Sequence, residues 1–170
     1  MKKILVTLLM LVIVSFVAKT VGNSAGLTTA KYSVEQEAIQ QGIPTGFFGV
    51  KWLATSDEVR SIRPNVFSDS NGNLKESNDF LGRKAFVTYH STSTGVMLFT
   101  FTFTDDFTTG NFDKTQTLLA TQVGQLGKVT QLPGLDRVCS SRVMQRFRVD
   151  HCQPSDLASI PEQILIYRTK

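Results

Sequence analysis

The sequence predicts an α+β fold in which an antiparallel β-sheet carries two helices packed on one face, and three observations support this. Phe99, Phe101 and Phe103 alternate with Thr100, Thr102 and Thr104, the period-two pattern of a strand buried on one side. Thr55 and Glu58 are spaced as a capping box ahead of Val59 and Ile62, which starts a helix. Leu119, Val123 and Leu126 then recur at helical spacing before Gly127, a residue suited to the left-handed position after a helix. In chain order the expected elements run β-α-β-β-α-β-β. Hairpins between successive strands favour an antiparallel sheet, which makes the fold two-layered.

The first segment stands apart from this pattern. Lys2 and Lys3 precede an apolar run from Ile4 to Ala18, broken only by Thr7 and Ser15. That is the composition of a secretory signal, and Thr20-Val21-Gly22 supplies small residues for cleavage. The alternative is an uncleaved anchor in the inner membrane through residues 4–21, although the run is shorter than the ~20 residues that span a bilayer comfortably. On either reading this segment is the part of the chain that contacts a membrane. The expected location is therefore periplasmic or extracellular. No Cys lies near the end of the run, which disfavours a lipid-anchored lipoprotein.

Setting that segment aside changes the charge balance. The chain has 18 Lys and Arg against 14 Asp and Glu. Lys2, Lys3 and Lys19 precede residue 23 and every acidic residue follows it, so the remainder carries only +1. Near-neutral charge gives no electrostatic case for nucleic acid. Residues 23–45 read as a flexible tether in which Tyr32 to Gln41 (YSVEQEAIQQ) has a thin helical stripe. Residues 46–170 are long enough for a single α+β domain with its own core.

Taken in order, Phe47 to Trp52 reads as a short apolar strand. The capped helix follows and ends before Pro64, which pushes Arg63 out of the α region. Ser68 to Asn73 is a turn. Asp69, Asn71 and Asn73 imitate a calcium loop, but Leu74 and Phe80 stand where that loop needs Gly and a bidentate Glu. Arg83 to His90 and Val96 to Thr104 form a hairpin, with the three Phe in the core. A second helix spans Phe112 to Leu126. Arg142 to Asp150 reads as one strand, Pro154 to Pro161 as a turn, and Glu162 to Arg168 as the last strand.

Two cysteines, Cys139 and Cys152, remain in this part. In an exported protein an even count reads as one disulfide. A catalytic Cys would need a partnered His, and a metal site more ligands than Asp150, His151, Cys152 and the distant His90 provide.

Arg142, Arg146 and Arg148 share a parity on the expected 142–150 strand, so they emerge beside Thr100, Thr102 and Thr104 on the sheet face without helices. The plain account of such a face is solvation. The sharper one is a docking surface for an acidic protein patch or for envelope phosphates, which Arg engages bidentately.

The segment FFGVKWLATSDEV resembles the "glxWGxsxeeV" opening of small exported bacterial envelope proteins. The match covers mostly residues 46–63, with a looser echo over Leu118 to Lys128, and it departs at Leu53, where the pattern has Gly. The expected architecture is also similar to the two-layer domains of outer-membrane assembly factors and β-lactamase-inhibitor-like proteins. The resemblance implies a binding module without catalytic residues.

The residues alone agree with that implication. There is no G-x-S-x-G, no H-E-x-x-H and no phosphate-cradling Gly loop, and nothing calls for a cofactor. The expected function is an exported, non-catalytic binding or envelope-associated protein. The alternatives are a small exported hydrolase with a dispersed active site and a membrane-tethered structural protein.

Overall fold

The computed structural model describes residue 26 and residues 28–131, 137–154 and 161–169. The apolar run, its cleavage site and most of the expected 154–161 turn lie outside them. The chain divides into two compact units, Met1–Val34 and Glu35–Lys170. Helix α1 covers 28–40, and among the described residues no helix is long and apolar enough to cross a membrane.

Residues 35–45, the later part of the expected tether, fall in the second unit. Ala38 and Ile43 are buried. Glu37 accepts hydrogen bonds from Arg168 Nε and Nη2 at 3.2 and 2.9 Å, so this stretch is held by both apolar and polar contacts.

Strands β1 (Gly46–Phe47) and β2 (Val50–Lys51) form a small antiparallel hairpin. This corrects the single strand expected over Phe47 to Trp52. Phe48 and Gly49 both have positive φ, 53° and 83°, the signature of a two-residue primed turn that reverses the chain. The hairpin plugs the core. Phe47 sets its ring edge-on to Phe99 and Phe101, and Trp52 lies against Phe99 and Phe147. Burying each such side chain contributes roughly 1.5–3 kcal/mol. The indole N–H is satisfied by the Pro44 carbonyl at 2.9 Å.

Helix α2 (Ser56–Ile62) starts at Thr55 with the expected capping box and ends at Arg63, which is outside the helical region (φ −124°, ψ 79°) before Pro64. Four strands follow as a meander: β3 (Phe67–Ser68), β4 (Leu74–Phe80), β5 (Arg83–Thr92) and β6 (Gly95–Phe103). Helix α3 (Thr109–Val123) and a second meander come next: β7 (Val129–Gln131), β8 (Val138–Val143), β9 (Phe147–Cys152) and β10 (Gln163–Arg168).

All eight strands join in one antiparallel sheet of order β3-β4-β5-β6-β10-β9-β8-β7. Each half is a helix followed by a four-stranded meander, and the halves meet along their last strands, with Phe101 opposite Ile164 and Phe99 opposite Ile166. The architecture repeats although the sequence does not.

Cross-strand register assigns the two faces. Leu74, Glu76, Val87, Tyr89, Phe99, Phe101, Ile164, Ile166, Val149 and His151 share one face. The small hairpin and the helices make their contacts there, including the stacking of Phe112 in α3 on His151. The three Phe of β6 are buried on that face, as expected.

Strand β4 was hidden in the sequence because Glu76 occupies an inward position. Arg63 donates to it through Nε and Nη2, and the Tyr89 hydroxyl also donates to it, so its burial is compensated. Helix α3 ends three residues short of the expected Leu126, with Gly124 rather than Gly127 at the positive-φ cap.

Candidate functional site: the uncovered sheet face

Among the described residues of the Glu35–Lys170 unit, no helix lies over the opposite face. Three rows run across its strands. One holds Lys75, Thr88, Thr100, Leu165, Asp150 and Ser141, and another Phe86, Thr102, Gln163, Cys152 and Cys139. The third holds His90, Leu98, Tyr167, Arg148 and Val143. Small polar residues such as Thr88, Thr100 and Asp150 are buried between taller neighbours, whereas Phe86 is exposed and Leu98, Leu165 and Tyr167 are half-buried.

The disulfide Cys139–Cys152 bridges directly paired positions of β8 and β9 on this face, with Cα atoms 4.0 Å apart. It is buried, which is compatible with an exported protein.

Asp150 is the hub of the face. Its Oδ1 accepts from Ser141 Oγ at 2.5 Å and from Arg148 Nε at 2.9 Å, and its Oδ2 accepts from the Tyr167 hydroxyl at 3.1 Å. Burial pushes the Tyr167 phenol pKa up, and the neighbouring Asp150 charge pushes it the same way, so the phenol stays protonated as a donor. Burial acts against the Arg148 cation, but the hydrogen bond and charge of Asp150 reverse this and raise its pKa. The result is a quartet in which each Asp150 oxygen accepts at least one hydrogen bond.

His90 and Thr100 form the other close pair, Nε2 to Oγ1 3.0 Å. Burial pushes the His90 pKa down. A nucleophile–base pair also needs a group that orients the base, and among the described residues no carboxylate is hydrogen-bonded to His90.

A third chain of bonds lies at the end of the face. Thr102 accepts from Gln163 Nε2 at 3.0 Å, and Gln163 Oε1 accepts from Arg137 Nη1 at 2.7 Å. Thr104 lies past the end of β6 with its hydroxyl 3.4 Å from the Lys84 carbonyl.

The three arginines expected together are separated. Residues 142–150 form two strands, not one, with a turn over 144–146 closed by Met144 N donating to the Phe147 carbonyl at 2.9 Å. Gln145, which interrupts the alternation, lies in that turn. Reversing the chain there breaks the shared parity. Arg142 pairs with Val149 on the helix-covered face and donates to the Gln41 carbonyl at 3.2 Å. Arg146 is exposed in the turn, its backbone N–H bonded to Gln41 Oε1. Only Arg148 lies on the uncovered face with Thr100 and Thr102, and Asp150 neutralises it.

Beneath α3, on the covered face, Arg83 binds Asp105 through Nε and Nη2 and Glu162 through Nη1, while His151 Nε2 lies 2.9 Å from Glu162 Oε1. The cluster ties the helix to the sheet through Arg83 Nη1 and Thr115 Oγ1, 2.9 Å apart. His151 and Glu162 are closed off from solvent and offer no approach to a substrate.

Sequence reasoning missed Asp150, Ser141, Tyr167 and Arg137. The available signal was parity within β9 and β10, and the misread turn at 144–146 obscured it. Among the described residues no group of three or more His, Cys, Asp or Glu is placed to hold a metal.

No protein-family profile matches the chain, and no curated protein matches it. Among solved structures it is similar to a DUF4309 family protein (YjgB) from Bacillus subtilis subsp. subtilis str. 168. The two share 14% identity and a TM-score of 0.47, over 82% of this chain and 95% of the other.

Proposed function

We propose that this chain is an exported, non-catalytic binding protein that docks its partner on the uncovered face of the sheet. The observation that carries the reading is the build of that face. Apolar side chains at Phe86, Leu98, Leu165 and Tyr167 stand open or half-open around an Asp150 whose oxygens already have donors. Hydrogen-bonded polar groups among exposed apolar ones suit an interface, because they are desolvated without being left unpaired.

Export is supported by the Cys139–Cys152 disulfide and by the basic-then-apolar composition of residues 2–18. The role agrees with the binding-module class implied by the "glxWGxsxeeV" resemblance.

Photo-crosslinking residues placed at Phe86 and Leu165 test the proposal, with Lys114 on the exposed side of α3 as the control. In source cells, both face positions should capture the same partner and Lys114 should not. Capture from Lys114 alone, or from none of the three, would reject the docking surface.

A further inference from the structure

Among the described residues, four arginines give their Nε to a carboxylate. Arg63 holds Glu76, Arg83 holds Asp105 and Arg168 holds Glu37. Arg148 gives its Nε to Asp150. Arg137 is different. It is 8% exposed, yet its acceptors among the described residues are all neutral: Gln163 Oε1 at 2.7 Å, the Pro161 carbonyl at 2.9 Å and the Gln153 carbonyl at 3.4 Å. Its Nε is buried with no partner among the described residues.

A buried guanidinium without a counter-charge is an expensive arrangement, since desolvation is not offset by an ion pair. Burial accordingly pushes the Arg137 pKa down with nothing opposing it. In Arg83 and Arg148 burial is outweighed by the carboxylates.

The position also has a direction. Arg137 directly precedes β8 and bonds Gln163, which lies on the uncovered face and links it to Thr102. Nη2 donates to the Pro161 carbonyl at 2.9 Å and, more weakly, to the Gln153 carbonyl at 3.4 Å, and the longer of the two is the bond that a bidentate ligand on Nε and Nη2 would replace.

We propose that Arg137 is an oxyanion-binding site at the end of the uncovered face, its Nε and Nη2 receiving a carboxylate or phosphate group. Both groups match the planar fork of a guanidinium. The inference does not rest on the docking reading. It concerns a small anion at one residue, and either can fail without the other.

The direct test follows the side-chain Nε–H signals of the 15N-labelled full chain by NMR as sodium phosphate or sodium acetate is added, with sodium chloride at matched ionic strength as control. The Arg137 signal, assigned by its loss in Arg137→Lys, should shift saturably with at least one oxyanion and not with chloride. Whichever salt acts names the group. In parallel, saturating oxyanion should raise the wild-type Tm by about 3–10 °C, and this rise should be at least tenfold less sensitive to anion in Arg137→Lys, which keeps the charge and loses the fork.

Asp136 and Asp156 lie outside the described residues, and a carboxylate of the chain itself is an outcome of the test. In that case wild type does not respond, and a chain carrying Asp136→Asn and Asp156→Asn does. Either that result, or an Arg137 signal that ignores both oxyanions, overturns the proposal.

Discussion

The Arg142 guanidinium lies so close over Gly124 that a Cβ at that glycine would stand 2.6 Å from Nη1 and 2.9 Å from Cζ. Gly124 caps the C-terminus of α3 at φ 78°, and the same guanidinium donates to the Gln41 carbonyl just past α1. One cation therefore serves the ends of two helices, where carbonyls lack partners and the helix dipole favours positive charge. Arg142 is thereby committed to contacts within the fold.

Gly124→Ala should lose roughly 1–3 kcal/mol, part from the left-handed backbone and part from displacing the arginine. In an Arg142→Ala background the second part is gone. Urea melts of the two single variants and the double variant should show coupling of at least ~0.5 kcal/mol. Strictly additive losses would mean that Arg142 does not constrain Gly124.

Stability should fall with acid through Asp105. The hydrogen bonds from Arg83 hold its carboxyl below the usual range against a smaller effect of burial. A depressed folded-state pKa contributes stability that is fully present above the unfolded value, about 3.9, and is lost as pH falls through the folded value. Tm measured from pH 6 down to pH 2 should therefore drop more steeply below about pH 4 in wild type than in Asp105→Asn. Equal slopes would show that the Arg83–Asp105 pair contributes nothing in solution.

The face assignment of β6 gives a third expectation. Phe101 is fully buried, stacks on Phe80 with ring centroids 3.8 Å apart and meets Phe47 edge-on, so Phe101→Ala should lose ~3–5 kcal/mol. Thr102→Ala removes one acceptor for Gln163 on the uncovered face and should lose about 1 kcal/mol or less. Chemical denaturation of the pair decides it, and a larger loss at Thr102 would invert the two faces.

What could be read in the sequence follows from how local each signal was. The α2 cap was legible because Thr55 and Glu58 satisfy each other's backbone groups within one turn. The β5–β6 hairpin was legible because the Phe–Thr alternation of β6 is uninterrupted. Strand β4 was not, because Glu76 is inward only by virtue of Arg63 and Tyr89, both 13 residues away. The conformation of Leu53, at φ 60°, was also invisible. It is set by β6, where the Val96 carbonyl accepts from Leu53 N and Val96 N donates to the Ala54 carbonyl, and where a Cβ at Gly95 would meet the Leu53 carbonyl oxygen at 2.3 Å. It is also the position at which the resembled opening has Gly.

The candidate site was half legible. Thr100 and Thr102 lie on the uncovered face, as their alternation implies. The arginine patch was not there, because parity carries through a strand but not through a turn. Asp150 and Tyr167 come together only through the β9–β10 pairing, and Arg137 stands out only when its acceptors are known. No spacing rule reports either.

Docking through the uncovered face is tested most directly by affinity for the partner that Phe86 and Leu165 capture. Leu165→Arg places a charge in the middle row of that face, while Lys114→Glu changes the exposed side of α3. With purified components, Leu165→Arg should weaken binding at least tenfold, with Tm within a few degrees of wild type, and Lys114→Glu should leave affinity unchanged. Unchanged affinity in Leu165→Arg, with binding lost in Lys114→Glu, would place the interface on the helical side and contradict the docking surface.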